Sequence, residues 1–311
     1  MAQAWKCSGL RWVDGGPVLV WDGGRRSALA WGKRVSFGVV DGGVRTCVGA
    51  RGHACPVRTG VSGRSTGARC EECARLDRAH SVAADTIADD PRPYRVYLAW
   101  FGPGMVKVGI TAVERGSARL LEQGAVCFSW LGTGPLMAAR RTEELLRAAL
   151  RVPDRIPYAA KRAVRSGLPG TEGERAAEVV ELHARAVALA EWPESLVREP
   201  CRPVDHVGAF GLAGLPGAVG EVSELVAGGA VRGELVAAAG PDLHIAVGDG
   251  DGDREGGKGV REIVVLDTRL MTGWELGPAG VGTGAGGVDE SRLTFPLREF
   301  RGVSAVQDEL F

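Results

Sequence analysis

Four cysteines fall within 27 residues: Cys47, Cys55, Cys70 and Cys73, spaced C-x7-C-x14-C-x2-C. Two thiolates two residues apart can wrap one side of a tetrahedral ion, and Zn2+ takes four such ligands. The Cys70–Cys73 pair ("CEEC") is the tighter half of this signal. The Cys47–Cys55 half is looser than a usual knuckle, so His53 or His80 can stand in for one thiolate, imidazole being an equally good ligand. The intervening "VRTGVSGRSTGAR" has almost no core-forming residues. A structural metal cross-link would account for its order where burial cannot. The competing readings are packed thiols and a Cys70/Cys73 redox pair. Cys7, Cys127 and Cys201 are isolated and read as packed thiols.

A second stretch, "VYLAWFGPGMVKVGIT" from Val96 to Thr111, sets two short apolar runs on either side of Gly102-Pro103-Gly104. That arrangement predicts a β-hairpin. On the return strand Val106, Val108 and Ile110 share one face, and Lys107, Gly109 and Thr111 the other. A lysine beside a glycine on the outward face of a central hairpin has no packing role, which marks it as a functional candidate.

The elements that must position these residues can be read from pattern. Residues 1–46 alternate around Gly-rich turns and predict short antiparallel strands. Residues 47–80 form the zinc-knuckle segment, and a Pro-rich linker precedes the hairpin. Residues 94–165 predict a β-β-α-β-α unit: the hairpin, a helix ending at Gly124, the strand "AVCFSWLG", and the helix "PLMAARRTEELLRAALRV". Residues 172–200 hold an acidic helix with His183 on its surface, and residues 205–311 a β-rich region with a flexible loop at 248–259. The fold class expected is α+β. "DGDGDREGGKGVRE" from Asp249 fails as a calcium loop, because Arg254 and Val260 stand where glycine and glutamate are needed.

The hairpin and the later "RRTEELL" helix resemble the GIY-YIG nuclease superfamily. With the cysteine cluster, "LLEQGA", "VPDRIP" and "VVLDTRLMTGWEL", residues 7–275 resemble a bacterial member of the family called domain of unknown function 2797. The superfamily resemblance implies an α/β domain in which two tyrosines, an arginine and a metal-binding glutamate surround one phosphodiester. The tyrosines orient water, the guanidinium clamps phosphate, and the carboxylate fixes a divalent ion. Carried onto this chain, the catalytic positions are Tyr97, Arg119 and Glu143, with Arg115 as an auxiliary phosphate ligand. Gly109 would let phosphate approach the backbone. Helical spacing favours Glu143 over Glu144, because Glu143 falls with Leu136, Ala139, Leu146 and Leu150. Mg2+ or Mn2+ at Glu143 is the cofactor this implies. Lys107 replaces the second tyrosine, Gln123 a histidine of the first helix, and the chain has no asparagine at all.

Net charge is zero, but it is divided: residues 45–165 carry +9, residues 166–311 carry −12, and residues 1–44 carry +3. A basic centre points to an anionic partner. The expectation is therefore a cytoplasmic nucleic-acid-binding protein, for DNA or RNA, with no membrane segment and an oligomeric state the sequence leaves open. Two uses stay open for the basic centre: metal-dependent phosphodiester cleavage, or grip without chemistry. A third reading is a protein-interaction module in which the acidic helix and tail cover the basic centre.

Overall fold

A computed structural model describes residues 3–79, 90–248, 261–279 and 293–300. Among these the chain is mixed α+β and rich in strands. The order begins with β1 (Trp5–Val13), β2 (Gly16–Trp21), β3 (Arg26–Ala28) and β4 (Arg34–Val39), then α1 (Glu71–Arg78). The middle comprises β5 (Tyr94–Trp100), β6 (Val106–Ala112), α2 (Ala118–Gln123), β7 (Cys127–Gly134), α3 (Leu136–Leu150), α4 (Tyr158–Val164) and α5 (Glu172–Val187). After β8 (Val197–Arg198), β9 (Val204–Asp205) and α6 (Val207–Phe210) come β10 (Ala218–Val222), β11 (Ala230–Ala239), β12 (Asp242–Val247), β13 (Glu262–Asp267), α7 (Thr268–Met271), β14 (Glu275–Gly277) and β15 (Leu297–Glu299). None of the described helices is long and apolar enough to cross a membrane.

Ten strands form one sheet in the order β15-β10-β13-β12-β11-β4-β14-β1-β2-β3. The regions 1–46 and 205–311, expected as separate β-rich parts, are thus hydrogen-bonded together. The link is β4, which pairs antiparallel with both β11 and β14, while β14 pairs with β1. Such pairings join residues as distant in sequence as Gly38 and Ala230, or Trp5 and Leu276, and no local pattern announces them.

The second sheet has the order β6-β5-β7-β8, with β9 also on β7. The β5–β6 hairpin is closed by its Gly-Pro-Gly turn, with the Met105 N–H on the Gly102 carbonyl at 2.9 Å. Val96, Leu98 and Trp100 face one way. Trp100 Nε1 donates to Glu178 of α5 at 3.1 Å, and the Gly104 N–H donates to the same carboxylate at 3.0 Å. The acidic helix therefore docks on the face opposite Tyr97 and does not cover Lys107. The Tyr97 face is filled by Ala99, Phe101, Leu120, Ala125 and Phe128. Both faces of the hairpin are covered, which corrects the outward placement of Lys107: the residue is 9% exposed. Alternation reports a change of face and says nothing of what lies against it.

Other differences are local. The acidic helix ends at Val187 rather than 200 and opens on a Thr171–Glu174 capping box. His183 is buried on it, 3.2 Å from the Trp130 carbonyl. Helix α4 was not expected, because Pro153 and Pro157 punctuate that stretch as a loop; Pro157 instead stands directly before the first turn, where proline is tolerated. The loop at 248–259 lies, beyond Gly248, outside the described residues, as do His80 and most of the linker.

The two sheets are tied through α4. Arg162 donates to Glu221 of β10 at 2.7 Å, Asp242 of β12 at 2.6 Å and Asp267 of β13 at 2.5 Å. Arg165, one turn on, holds the other oxygen of Asp242 at 2.9 Å. Burial alone would lower the Arg162 pKa, but the three carboxylates outweigh it and raise it. Deleting this guanidinium leaves three carboxylates buried without their shared partner. Arg162→Ala is expected to lower unfolding free energy by about 3–5 kcal/mol in urea titrations. A loss below about 1 kcal/mol would show that the cluster does not hold the sheets together.

Candidate functional site

The cysteine segment folds over itself with few apolar groups. Cys47, Cys55, Cys70 and Cys73 bring their sulfurs within 4.8 Å of one another. A tetrahedral zinc–thiolate centre needs sulfurs about 3.8 Å apart, which follows from bonds of about 2.3 Å. The donor set thus fits a metal ion such as zinc. Local geometry supports it. Cys47 Sγ accepts the N–H groups of Gly49 at 3.3 Å and Cys70 at 3.2 Å. Such N–H···S contacts orient thiolate ligands and stabilise their charge. Gly49 has φ +80°, and a Cβ there would stand 1.9 Å from the His53 carbonyl, so only glycine closes this turn. His53 exchanges backbone bonds with Ala50, and the metal-type group in this segment comprises the four cysteines without it.

Cys70 caps the start of α1 and Cys73 lies in its first turn. The Thr59 and Val57 N–H groups pull the Cys55 thiol down to about 6. Burial and the three neighbouring thiols push Cys73 up to about 12. Thiolates this close repel, and a divalent cation is what lets all four ionise together.

The segment is anchored by Arg45, 1% exposed. Its guanidinium donates to the carbonyls of Ser62 at 2.6 Å, Ser65 at 2.5 Å, Thr272 at 2.9 Å and Arg269 at 2.9 Å. Burial lowers its pKa to about 10, which leaves it charged.

In the α/β unit, Tyr97 of β5 and Gly109 of β6 are cross-strand partners. A Cβ at Gly109 would sit 2.4 Å from the Tyr97 hydroxyl. Gly109 is therefore needed to seat the tyrosine ring. The Tyr97 side chain is 2% exposed, and its hydroxyl accepts from Gln123 Nε2 at 2.9 Å. Burial raises its pKa.

Lys107 lies on the same face, its ammonium 5.8 Å from the Tyr97 ring centre and 3.3 Å from the Asp154 carbonyl. Burial, and then the positive charge of Arg119, lower its pKa to about 8, while Glu143 and Asp154 oppose the shift. Glu143 is half-buried on α3, and burial raises its pKa against the pull of Lys107. Glu144 is exposed, in line with the helical-spacing argument. Arg119 is half-exposed on α2 with Glu122 3.8 Å away, whereas Arg115 holds Glu122 at 2.7 Å. Arg119 and Glu143 thus lie near enough to act on both Tyr97 and Lys107, and Arg115, paired with Glu122, also acts on Tyr97. Asp154 is the acidic neighbour of Glu143, close enough to help raise its pKa.

Sequence reasoning missed Lys161, which donates to the Gln123 carbonyl at 3.0 Å and sits 3.8 Å from the Phe101 ring centre. Burial, and then Lys107, lower its pKa to about 7. Nothing in "YAAKRAV" marks this lysine. Arg45 and Arg69 were also missed, although both lie within two residues of a cysteine ligand.

The chain belongs to the family described as protein of unknown function (DUF2797), whose model matches residues 32–276. The match spans the cysteine segment, the α/β unit and most of the ten-stranded sheet. Comparison with curated proteins and with solved structures gives no match.

Metal analysis of the purified chain is expected to give about one equivalent of zinc or a similar thiophilic ion. Cys47→Ser or Cys73→Ser should lower it several-fold. Full occupancy in either variant would exclude the four-sulfur site.

Proposed function

We propose that this protein binds nucleic acid through its phosphate backbone, at the site where Tyr97, Lys107, Arg119 and Glu143 meet, with a structural zinc ion in the cysteine segment. The observation that carries this reading is the meeting of two cations from separate elements: buried Lys107 of β6 lies close enough to Arg119 of α2 for the guanidinium to help lower the lysine pKa. A phosphate placed between them relieves that repulsion and takes charge-assisted hydrogen bonds from both. The resemblance of the hairpin and the "RRTEELL" helix to GIY-YIG nucleases supports the same assignment.

A catalytic form is the second reading, and Lys107 favours it. With a pKa of about 8 the amine is partly neutral near neutral pH and can accept a proton from water. Arg119 would clamp the phosphate and Glu143 would hold Mg2+ or Mn2+, the ion supplying charge neutralisation when bound. Against it, the Tyr97 hydroxyl is shut beneath Gln123 and cannot reach a water without moving. Binding without cleavage is therefore the stronger form.

Labelled single- and double-stranded DNA and RNA, with and without Mg2+ or Mn2+, separate the two. Binding is expected without divalent ions, about tenfold weaker in Lys107→Met and at least as tight in Glu143→Ala, which removes a negative charge. Cleavage that requires a divalent ion and is abolished by Glu143→Ala would establish the catalytic form instead. No binding of any substrate at low salt would overturn both.

A further inference from the structure

A cleft of about 370 Å3 opens where the cysteine segment, β1, α2, α4 and α7 meet. Five charged side chains line it, and four are arginines: Arg11, Arg69, Arg119 and Arg269, against Glu122. Their commitments differ. Arg269 is held by both oxygens of Asp267, and Arg69 by the Gly49 carbonyl at 2.9 Å and Asp77 at 3.2 Å. Glu122 is already taken by Arg115 at 2.7 Å. Arg11 is exposed and has no ion pair among the described residues, and Arg119 has only the 3.8 Å approach of Glu122. The lining therefore carries positive charge that its own acid does not neutralise.

One wall of this cleft is the metal segment itself. Val48 and residues 66–69 lie between the ligands Cys47 and Cys70, joined by Val48 N–H to the Ala68 carbonyl at 3.0 Å. That wall has little apolar core besides the cysteines, so its order depends on the metal and on Arg45. Of the two aromatic residues that line the cleft, Trp12 is buried against Phe210 with its Nε1 donating to the Gly240 carbonyl at 3.0 Å, and Tyr158 already carries two cations, Arg269 at 4.2 Å and Lys161 at 4.4 Å from its ring centre. A nucleobase therefore finds no free ring to stack on.

We infer that this cleft is a second phosphate site, held by Arg11 and Arg69 with Arg119 standing between it and the Lys107 site, that reads charge rather than base identity and requires the occupied four-cysteine centre for its affinity. The inference rests on the proposed function only for the source of the phosphate. A nucleic-acid strand extending from the Lys107 site and a free mononucleotide present the same group.

The test uses the full chain purified with its metal, and two probes: labelled single-stranded oligonucleotides of differing sequence, and AMP. Arg11 is unpaired, so Arg11→Gln leaves the fold intact. It is expected to weaken binding about tenfold, equally for all oligonucleotide sequences. Removing the metal with a chelator should produce a loss at least as large, restored by adding Zn2+. If the oligonucleotide binds and AMP does not compete, the phosphate belongs to a strand; if AMP binds with the same dependence on Arg11 and metal, it belongs to a small molecule. Oligonucleotide binding that falls in Lys107→Met but is unchanged in Arg11→Gln and in the metal-free chain overturns the cleft while sparing the proposed function. AMP binding that depends on Arg11, without oligonucleotide binding, does the reverse. Failure of both probes to bind overturns both.

Discussion

Three carboxylates from three strands, Glu221, Asp242 and Asp267, converge on the single guanidinium of Arg162. Most other positions in this molecule follow from that buried cluster. It fixes α4 to the ten-stranded sheet. Through α4 it sets Tyr158 against the Glu122 carbonyl and Lys161 against the Gln123 carbonyl, and thus positions Gln123 over the Tyr97 hydroxyl. Asp267 also caps α7 by accepting the Arg269 N–H, and orients the Arg269 side chain. Buried ion pairs are weak contributors when compared with a well-packed apolar replacement. Their use here is geometric, since each carboxylate accepts a bond of defined direction.

Arg45 plays the equivalent part for the cysteine segment. Its four carbonyl acceptors lie on that segment, on α7 and just after it, so the metal-binding loops are held to the sheet by directed hydrogen bonds. Two guanidinium clusters therefore add directed bonds to the fold: one beside the apolar core that the α/β unit shares with the ten-stranded sheet, the other beneath the cysteine segment, which has only a small apolar cluster of its own. The basic cleft lies at their junction. Its excess of arginine is tolerable because the buried Arg45 and Arg162 have carbonyl or carboxylate partners, while the unpaired Arg11 lies exposed to water.

Local chemistry was legible in the sequence. Cys70 and Cys73 announced a ligand pair by spacing. Gly102-Pro103-Gly104 announced a hairpin, and helical spacing separated Glu143 from Glu144. What alternation could not convey was the second layer. Lys107 and Gly109 were placed on the correct face, but that face is packed by Leu120 and Phe128, so Lys107 is buried and Gly109 serves Tyr97. Likewise, β1 and β4 showed strand character without showing that β14 and β11 are their partners. Long-range pairing leaves its mark in which residues meet, and a single sequence carries no record of that. Arg162 and Arg45 were unreadable for the same reason, since a buried arginine and a solvated one are the same letter.

The central claim is that unmatched positive charge on this protein is there to hold phosphate. The most direct measurement is equilibrium binding of a single-stranded oligonucleotide by the full chain over a salt series from about 50 to 200 mM. The account predicts that log affinity falls linearly with log salt, with a slope of about −2 or steeper, the signature of about three phosphate contacts at about −0.7 each. A flat dependence, or no binding at the lowest salt, would contradict it and assign the arginines to structure alone.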